Sequence, residues 1–178
     1  MSSTTARTAR YATVRTPPGP FTVVVTTGPD GGDVVLASGW TDDVAELVPV
    51  VHRALRPDGL ERAGALPVLD VVTAFGDGDL AAIDAVPVQQ RSGPFLTDAW
   101  EVLRTVPPGD PDTYAGFAAR CGRPAAVRAA AGACARNAAA LFVPCHRVLA
   151  TGGGLGGFRW GTPVKRWLLD HEAAHAGT

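Results

Sequence analysis

The chain of 178 residues is 46% hydrophobic and 19% charged, which excludes a large multidomain assembly and a disordered chain. Its three cysteines form no CxxC pair, so a disulfide scaffold and a cysteine-rich zinc site are also excluded. No apolar stretch has the length that spans a bilayer, and residues 1–10 lack the apolar core of a signal peptide. We therefore expect a cytoplasmic protein.

The first half of the chain predicts a small antiparallel sheet. Three runs rich in β-branched residues are separated by proline- and glycine-containing turn sequences and cover residues 11–16, 21–27 and 33–39. Apolar residues at helical spacing then predict a helix from Thr41 to Leu55, despite Pro49, and a second helix over 68–75. A further strand is predicted at 83–88, and the polar run 89–93 is interpreted as a linker.

The second half predicts mainly helices. Apolar spacing indicates one helix over 95–106, and Thr113 is expected to cap a short helix over 114–120. Pro124 would stand at the first turn of the next helix, 125–136. Two short helices joined by a glycine-containing turn are typical of helix-turn-helix DNA-binding proteins.

Basic residues support that interpretation. Between Asp112 and Asp170 the chain carries arginine and lysine but no acidic residue, a pattern that indicates either a polyanion site or an ordinary solvated face. Arg128 and Arg136 lie among alanines whose small side chains would let a DNA groove approach closely. The alternative is an alanine-rich helix packed tightly against a neighbour, which does not account for the two arginines.

The most informative stretch is an apolar run interrupted by Pro144, Cys145, His146 and Arg147. A cysteine becomes a strong nucleophile beside a base or a cation, and His146 and Arg147 are candidates for both. Because neighbouring residues point in different directions, we expect proton transfer from Cys145 to His146 to pass through a water. The alternative is a buried structural cysteine.

Two further motifs require separate interpretation. A helix over 164–172, capped by Thr162, carries Glu172, which is expected to orient His146. The sequence from His171 to His175 also matches the zinc motif HExxH, but no third ligand is evident, so we expect no metal. The glycines of 152–157 match GxGxxG without a βαβ context, which favours a binding loop beside the thiol.

With these residues in place, the second half resembles the methylated-DNA:protein-cysteine methyltransferases, which repair O6-alkylguanine in DNA and are spent in one reaction. The resemblance covers residues 94–172 and rests on Val143-Pro144-Cys145-His146-Arg147-Val148, with Asn137 before it and Lys165 to Glu172 after it. It implies an α+β fold: a small antiparallel-sheet α/β domain over 1–91, ribonuclease H-like in the family, followed by a mostly helical, winged helix-turn-helix-like domain over 94–178.

The resemblance also implies a role for each matching residue. Cys145 would accept the alkyl group, activated through a water by His146, which Glu172 orients. Asn137 would hold the turn before the active site, and Tyr114 would help to rotate the nucleotide and donate a proton to the leaving guanine. Arg128 would fill the gap in the base stack, and the other expected DNA-binding residues are Ala129, Arg136, Arg123 and Thr113. The expected alkyl pocket comprises Val148, Phe158, Arg159 and Trp160.

Some positions depart from the family pattern. Phe158 stands where the family usually has tyrosine, and Trp160 is bulky enough to restrict the pocket to small alkyl groups. No cysteine precedes Cys121, so the zinc ligands of some relatives have no counterpart. We therefore expect no cofactor, no metal, a monomer and duplex DNA carrying O6-alkylguanine as the partner. The alternatives are a non-catalytic damaged-DNA-binding protein of the alkyltransferase-like type, and a Cys/His hydrolase unrelated to DNA.

Overall fold

The computed structural model describes residues 7–177. Strands β1 (Thr8–Thr16), β2 (Gly19–Thr27) and β3 (Asp33–Gly39) form the predicted antiparallel meander. A fourth strand, β4 (Gly59–Arg62), pairs in parallel with β1 and gives the order β3-β2-β1-β4. The sequence did not predict β4, because this half-exposed edge has neither β-branched residues nor apolar alternation.

Both faces of the sheet are covered. Phe21, Val23 and Val25 point into the main core, whereas Val24 and Leu36 belong to a second cluster on the opposite face. Alternation of side chains along each strand therefore places apolar residues in two separate cores.

The predicted helix from Thr41 to Leu55 is wrong. Residues Val44–Glu46 and Val48–Val50 form two short 3₁₀ turns, the first capped by the Asp43 carboxylate, which accepts from the Ala45 amide at 2.9 Å. Pro49 has no amide hydrogen to continue a helical ladder, and Leu47 is buried in the second cluster. The apolar spacing reflects burial under the sheet.

The predicted strand over 83–88 is also wrong. Leu80–Ile83 is a 3₁₀ helix, and only Val88 forms an isolated bridge, to Val35 of β3. The other helix of this half is confirmed as α1 (Pro67–Gly76), which buries Val68, Val72 and Phe75 against the sheet.

The second half consists of helices and one small sheet. Its helices are α2 (Pro94–Leu103), α3 (Tyr114–Arg120), α4 (Val127–Ala135) and α5 (Thr162–His175). The Thr113 hydroxyl caps α3 by accepting from the Gly116 amide at 3.1 Å, as predicted. Helix α4 starts later than predicted, with Ala126 as its N-cap, and Gly161 rather than Thr162 is the N-cap of α5.

The two halves share the main core. Val25 of β2 belongs to the same buried cluster as Leu103, Phe117 and Leu168, and strand β5 (Asp112–Thr113) pairs in parallel with β6 (Val148–Leu149). The α+β fold is confirmed, while the boundary between 1–91 and 94–178 stays a prediction. Within residues 7–177, each helix is too short or too polar to cross a bilayer.

Candidate active site

A cavity of about 320 Å³ lies beside Cys145 and is lined by residues of the second half of the chain. Its volume is at the lower end of the range for small-molecule sites. Helices α3 and α4, the turn after α4 and the loop before α5 all contribute to its wall, through Tyr114, Ala131, Cys134, Ala135, Asn137, Ala140, Gly157, Phe158, Arg159 and Trp160. Five residues predicted for catalysis or for the alkyl pocket thus lie around Cys145: Tyr114, Asn137, Phe158, Arg159 and Trp160.

Cys145 begins a 3₁₀ turn over Cys145–Arg147, in which its amide donates to the Val143 carbonyl at 2.8 Å. The turn directs three consecutive side chains to different surroundings. Only 9% of Cys145 is exposed, and burial raises the pKa of its thiol above 9.0 despite the Asn137 hydrogen bond and the charge of Lys165. The thiol is therefore protonated at neutral pH and needs a base to become a nucleophile.

Asn137 connects the end of α4 to the thiol. Its Nδ2 donates to the Val143 carbonyl at 2.7 Å and to Cys145 Sγ at 3.2 Å. Its Oδ1 accepts from the Ala139 amide at 3.1 Å and from Gln90 Nε2 at 3.0 Å, so the amide orientation is fixed. Gln90 lies in the run 89–93 that was predicted to be a linker, and it supports the site through Asn137.

His146 and Glu172 are both fully buried and in contact. His146 Nε2 lies 2.7 Å from Glu172 Oε1. Because the carboxylate accepts, Nε2 carries the proton and Nδ1 is left as the acceptor of a neutral ring. Burial lowers the pKa of His146, against the opposing effect of Glu172, and Nδ1 is buried without a hydrogen-bond partner among residues 7–177. His146 is therefore a neutral base whose Nδ1 atom can accept a proton, and it directly follows Cys145 in the chain.

Arg147 has a different role from the one expected. Its guanidinium donates to Glu172 at 2.9–3.1 Å and to the Val106 carbonyl at 2.7 Å, and only 2% of the residue is exposed. Burial opposes ionisation of Glu172, but the attraction and hydrogen bonds of His146 and Arg147 lower its pKa to about 2. Arg147 therefore stabilises the carboxylate that orients His146. The cations that partly oppose the raised pKa of Cys145 are instead Lys165 and Arg159.

Lys165, which the resemblance includes only in its closing motif, is a buried residue beside the site. Its Nζ donates to the Val148 carbonyl at 2.7 Å and to the Gly157 carbonyl at 3.5 Å. Burial lowers the pKa of Lys165, and the nearby thiols oppose that shift. Lys165 thus joins β6 to the loop that lines the cavity. The signal in the sequence for its burial was its position beside Val164 on the apolar side of a predicted helix.

Tyr114 lies between the cavity and the glycine loop. A Cβ atom on Gly156, whose φ is +68°, would stand 3.1 Å from the Tyr114 hydroxyl, so the loop needs glycine there. Burial, followed by the influence of Cys134 and Cys145, raises the Tyr114 pKa above 10.0. The phenol stays protonated and is available as a hydrogen-bond donor.

The remaining pocket residues separate into two environments. Phe158, Arg159 and Trp160 line the cavity, and the centroid of the Phe158 ring lies 6.2 Å from that of Trp40 in the first half. Val148 is fully buried and is not among the lining residues; its carbonyl accepts from Lys165.

An exposed basic surface accompanies α4. Arg128, Ala129 and Arg136 are exposed on or beside this helix, and Arg123 precedes it with its guanidinium 5.4 Å from the Phe95 ring centroid. Not every cation of the acid-free segment is free to bind a ligand, because Arg147 and Lys165 are buried and Arg120 pairs with Asp112 at 2.6 Å. The arginines around α4 form a surface suited to a polyanion.

The HExxH match has a structural explanation. His171 Nε2 lies 2.8 Å from the Phe75 carbonyl and its ring stacks on Trp167, while Glu172 points to His146. Within residues 7–177 no three His, Cys, Asp or Glu side chains are grouped to hold a metal. The glycine match is likewise a loop with positive φ at Gly152 and Gly153, and it opens no helix.

Comparison with known proteins identifies the family. Residues 94–174 match the model of the 6-O-methylguanine DNA methyltransferase DNA-binding domain. A methylated-DNA–protein-cysteine methyltransferase of Shigella flexneri is 33% identical over 162 residues, covering 89% of this chain and 92% of that protein.

Solved structures agree with that relationship. The Mycobacterium tuberculosis O6-methylguanine methyltransferase superposes with a TM-score of 0.73 at 28% identity, over 96% of each chain. The M. tuberculosis OGT in complex with DNA gives a TM-score of 0.72 at 29% identity, over 94% of each chain. The chain belongs to the methylated-DNA–protein-cysteine methyltransferase family.

Proposed function

We propose that this protein repairs O6-alkylguanine in duplex DNA by moving a methyl or other small alkyl group to Cys145, once per molecule. The observation that carries the proposal is a buried thiol in a cavity, held by Asn137 and followed by a His146–Glu172 pair. Family membership supports the same reaction.

The proposed reaction is an in-line displacement. The thiol proton passes through a water to His146 Nδ1, and the thiolate attacks the alkyl carbon. An S–C bond forms as the C–O6 bond breaks, and the leaving guanine takes up a proton that Tyr114 donates. The resulting thioether is stable, and no group in the cavity is suited to cleave it, so each molecule acts once.

Access to the base requires its extrusion from the duplex, because a thiol inside a cavity cannot reach O6 in a stacked pair. We assign DNA binding to the surface around α4, with Arg128 filling the gap in the stack and Arg123 and Arg136 at phosphates. Thr113, whose hydroxyl caps α3, and the exposed Ala129 complete this surface. Contacts of this kind depend on shape and charge rather than base sequence.

The non-catalytic alternative is a protein that binds damaged DNA and leaves it unchanged. Cys145 stands in the cavity with a base beside it, and this arrangement supports chemistry. We further propose that residues 1–91 and 94–178 are separate domains of a cytoplasmic monomer that needs no cofactor.

The test is intact-mass spectrometry after incubation with duplex DNA containing O6-methylguanine, followed by peptide mapping. We expect one methyl group on the Cys145 peptide and none in Cys145→Ala. Cys134→Ala is the matched control, because this second thiol lines the same cavity, and it should be methylated like wild type. Tight binding to the lesion without any mass gain would contradict transfer and leave the non-catalytic alternative.

A further inference from the structure

Trp160, a wall of the alkyl cavity, lies directly against the last residue of β3. A Cβ atom built on Gly39 would overlap Cζ2 and Cε2 of the Trp160 indole and stand 2.7 Å from Cη2. The backbone at Gly39 has no positive φ, so its conformation is open to any residue. The indole, not the backbone, is what requires glycine at position 39.

The first half therefore contacts the pocket wall at two successive residues. Gly39 lies under Trp160, and Trp40 packs against Phe158 with ring centroids 6.2 Å apart. Trp40 is itself held by a hydrogen bond from its Nε1 to the Thr16 hydroxyl at 3.1 Å and by an edge contact with Phe21. Two of the three aromatic residues that line the cavity, Phe158 and Trp160, thus rest on the end of β3.

The strand is more firmly held than the indole. Gly39 pairs with Thr22 of β2, and the preceding Ser38 donates through its amide to the Ala138 carbonyl and through its hydroxyl to the Ala140 carbonyl, at 2.9 and 2.7 Å. Trp160 is only partly buried. A side chain at position 39 would therefore displace the indole rather than β3, and displacement of the indole changes the shape of the cavity.

We infer that Gly39 is a specificity-determining residue of the first half: by allowing the Trp160 indole to lie on β3, it sets the size of the alkyl group that reaches Cys145. The inference rests on the proposed alkyl transfer. Gly39 is not among the residues that line the cavity, and it acts only through the position of Trp160.

The test compares single-turnover transfer from one duplex that carries either O6-methylguanine or O6-benzylguanine, read by intact mass. We expect Gly39→Ala to change the ratio of the two rates about tenfold, within the range of coupling between residues in contact. Gly64→Ala is the matched control, since nothing lies within 4 Å of a Cβ there, and its ratio should equal that of wild type.

The decisive comparison is made in the Trp160→Ala background, where Gly39→Ala should have no further effect on the ratio. The inference is overturned if Gly39→Ala leaves the ratio of the two rates unchanged while Trp160→Ala changes it. It is also overturned if Gly39→Ala changes the ratio equally in the wild-type and Trp160→Ala backgrounds. Wild type that transfers neither group instead contradicts the proposed function. Should Gly39→Ala fail to fold with the indole present, it is made in the Trp160→Ala background only, where a ratio different from that of Trp160→Ala alone overturns the inference.

Discussion

Asn137 Nδ2 stands 3.2 Å from Cys145 Sγ while its Oδ1 is held by the Ala139 amide and by Gln90. A donor fixed in this way stabilises negative charge on sulfur as the thiolate forms, at no cost of reorientation. The same side chain also closes the turn from α4 to the active site. Asn137 therefore couples the position of α4 to the reactivity of the thiol.

We expect Asn137→Ala to slow transfer about 10- to 100-fold, the effect of losing a hydrogen bond of about 1.5–3 kcal/mol to a charged group. The measurement is single-turnover methyl transfer at a temperature where thermal denaturation shows the variant folded. Gln90→Ala keeps the donor to sulfur and should reduce the rate less. Equal rates for wild type and Asn137→Ala would contradict a role in stabilising the thiolate.

Glu172 makes the folded protein sensitive to acid. Its pKa is about 2 in the folded state and 4.5 ordinarily, so the unfolded state takes up the proton first as pH falls. The stability contributed by Glu172 is complete above pH 4.5 and is lost as pH falls toward 2, and it amounts to about 3 kcal/mol. The lowered pKa of His146 acts in the same direction below pH 6.5.

At pH 7, Glu172→Gln should cost about 3–5 kcal/mol, because it leaves the buried Arg147 charge uncompensated. Urea denaturation between pH 7 and pH 2.5 measures this cost, and we expect the gap to wild type to narrow below pH 4.5. Glu101→Gln on the exposed face of α2 is the control and should leave stability unchanged at both ends. Parallel loss of stability in wild type and Glu172→Gln would count against this account.

The pH dependence of transfer should be a broad plateau. Burial lowers the pKa of His146 below 6.5 and raises that of Cys145 above 9.0, so the protonated thiol and neutral imidazole are both present between these values. We expect the single-turnover rate to stay constant from pH 6.5 to pH 9.0 and to fall only in more acidic solution, where His146 takes up a proton and is lost as a base. A rate that climbs steadily through this interval would indicate an exposed thiol reacting without His146.

Chelators should leave transfer unchanged. Within the HExxH match, His171 contacts the Phe75 carbonyl and Glu172 contacts His146. These two residues therefore pack α5 against α1 and orient the His146 ring. Treatment with excess EDTA, followed by the methyl-transfer assay, is the measurement, and His171→Asn should lower the melting temperature without altering the rate of the folded protein. Loss of transfer on chelation, restored by zinc, would overturn this reading of the motif.

The sequence predicted the reactive residues better than their supports. Cys145, His146 and Arg147 are consecutive, so their chemistry is visible in one short stretch, although Arg147 proved to hold Glu172. The contacts of Ser38 with Ala140 and of Gln90 with Asn137 join residues 102 and 47 positions apart, and no local pattern carries such a pairing.

The secondary-structure elements show the same difference between local signals, which the sequence carries, and long-range packing, which it does not. Thr113 and α3 were predicted because a cap and a helical run are local signals. The turns at Val44–Glu46 and Val48–Val50 were mistaken for a helix, since apolar residues that cover a sheet have nearly the same spacing as those of an amphipathic helix.

Arg128 allows base extrusion to be separated from chemistry. It is exposed on α4, outside the cavity, so its removal should not alter the thiol. We expect Arg128→Ala to slow transfer from duplex O6-methylguanine about tenfold, because extrusion costs a few kcal/mol that a side chain filling the stack offsets. Transfer from free O6-methylguanine base, which needs no extrusion, should stay at the wild-type rate. Arg62→Ala, at an exposed edge strand of the first half, is the matched loss of charge and should affect neither substrate. Equal slowing on the free base and the duplex would show that Arg128 acts on the fold of the site, and the assignment of extrusion to this residue would then be wrong.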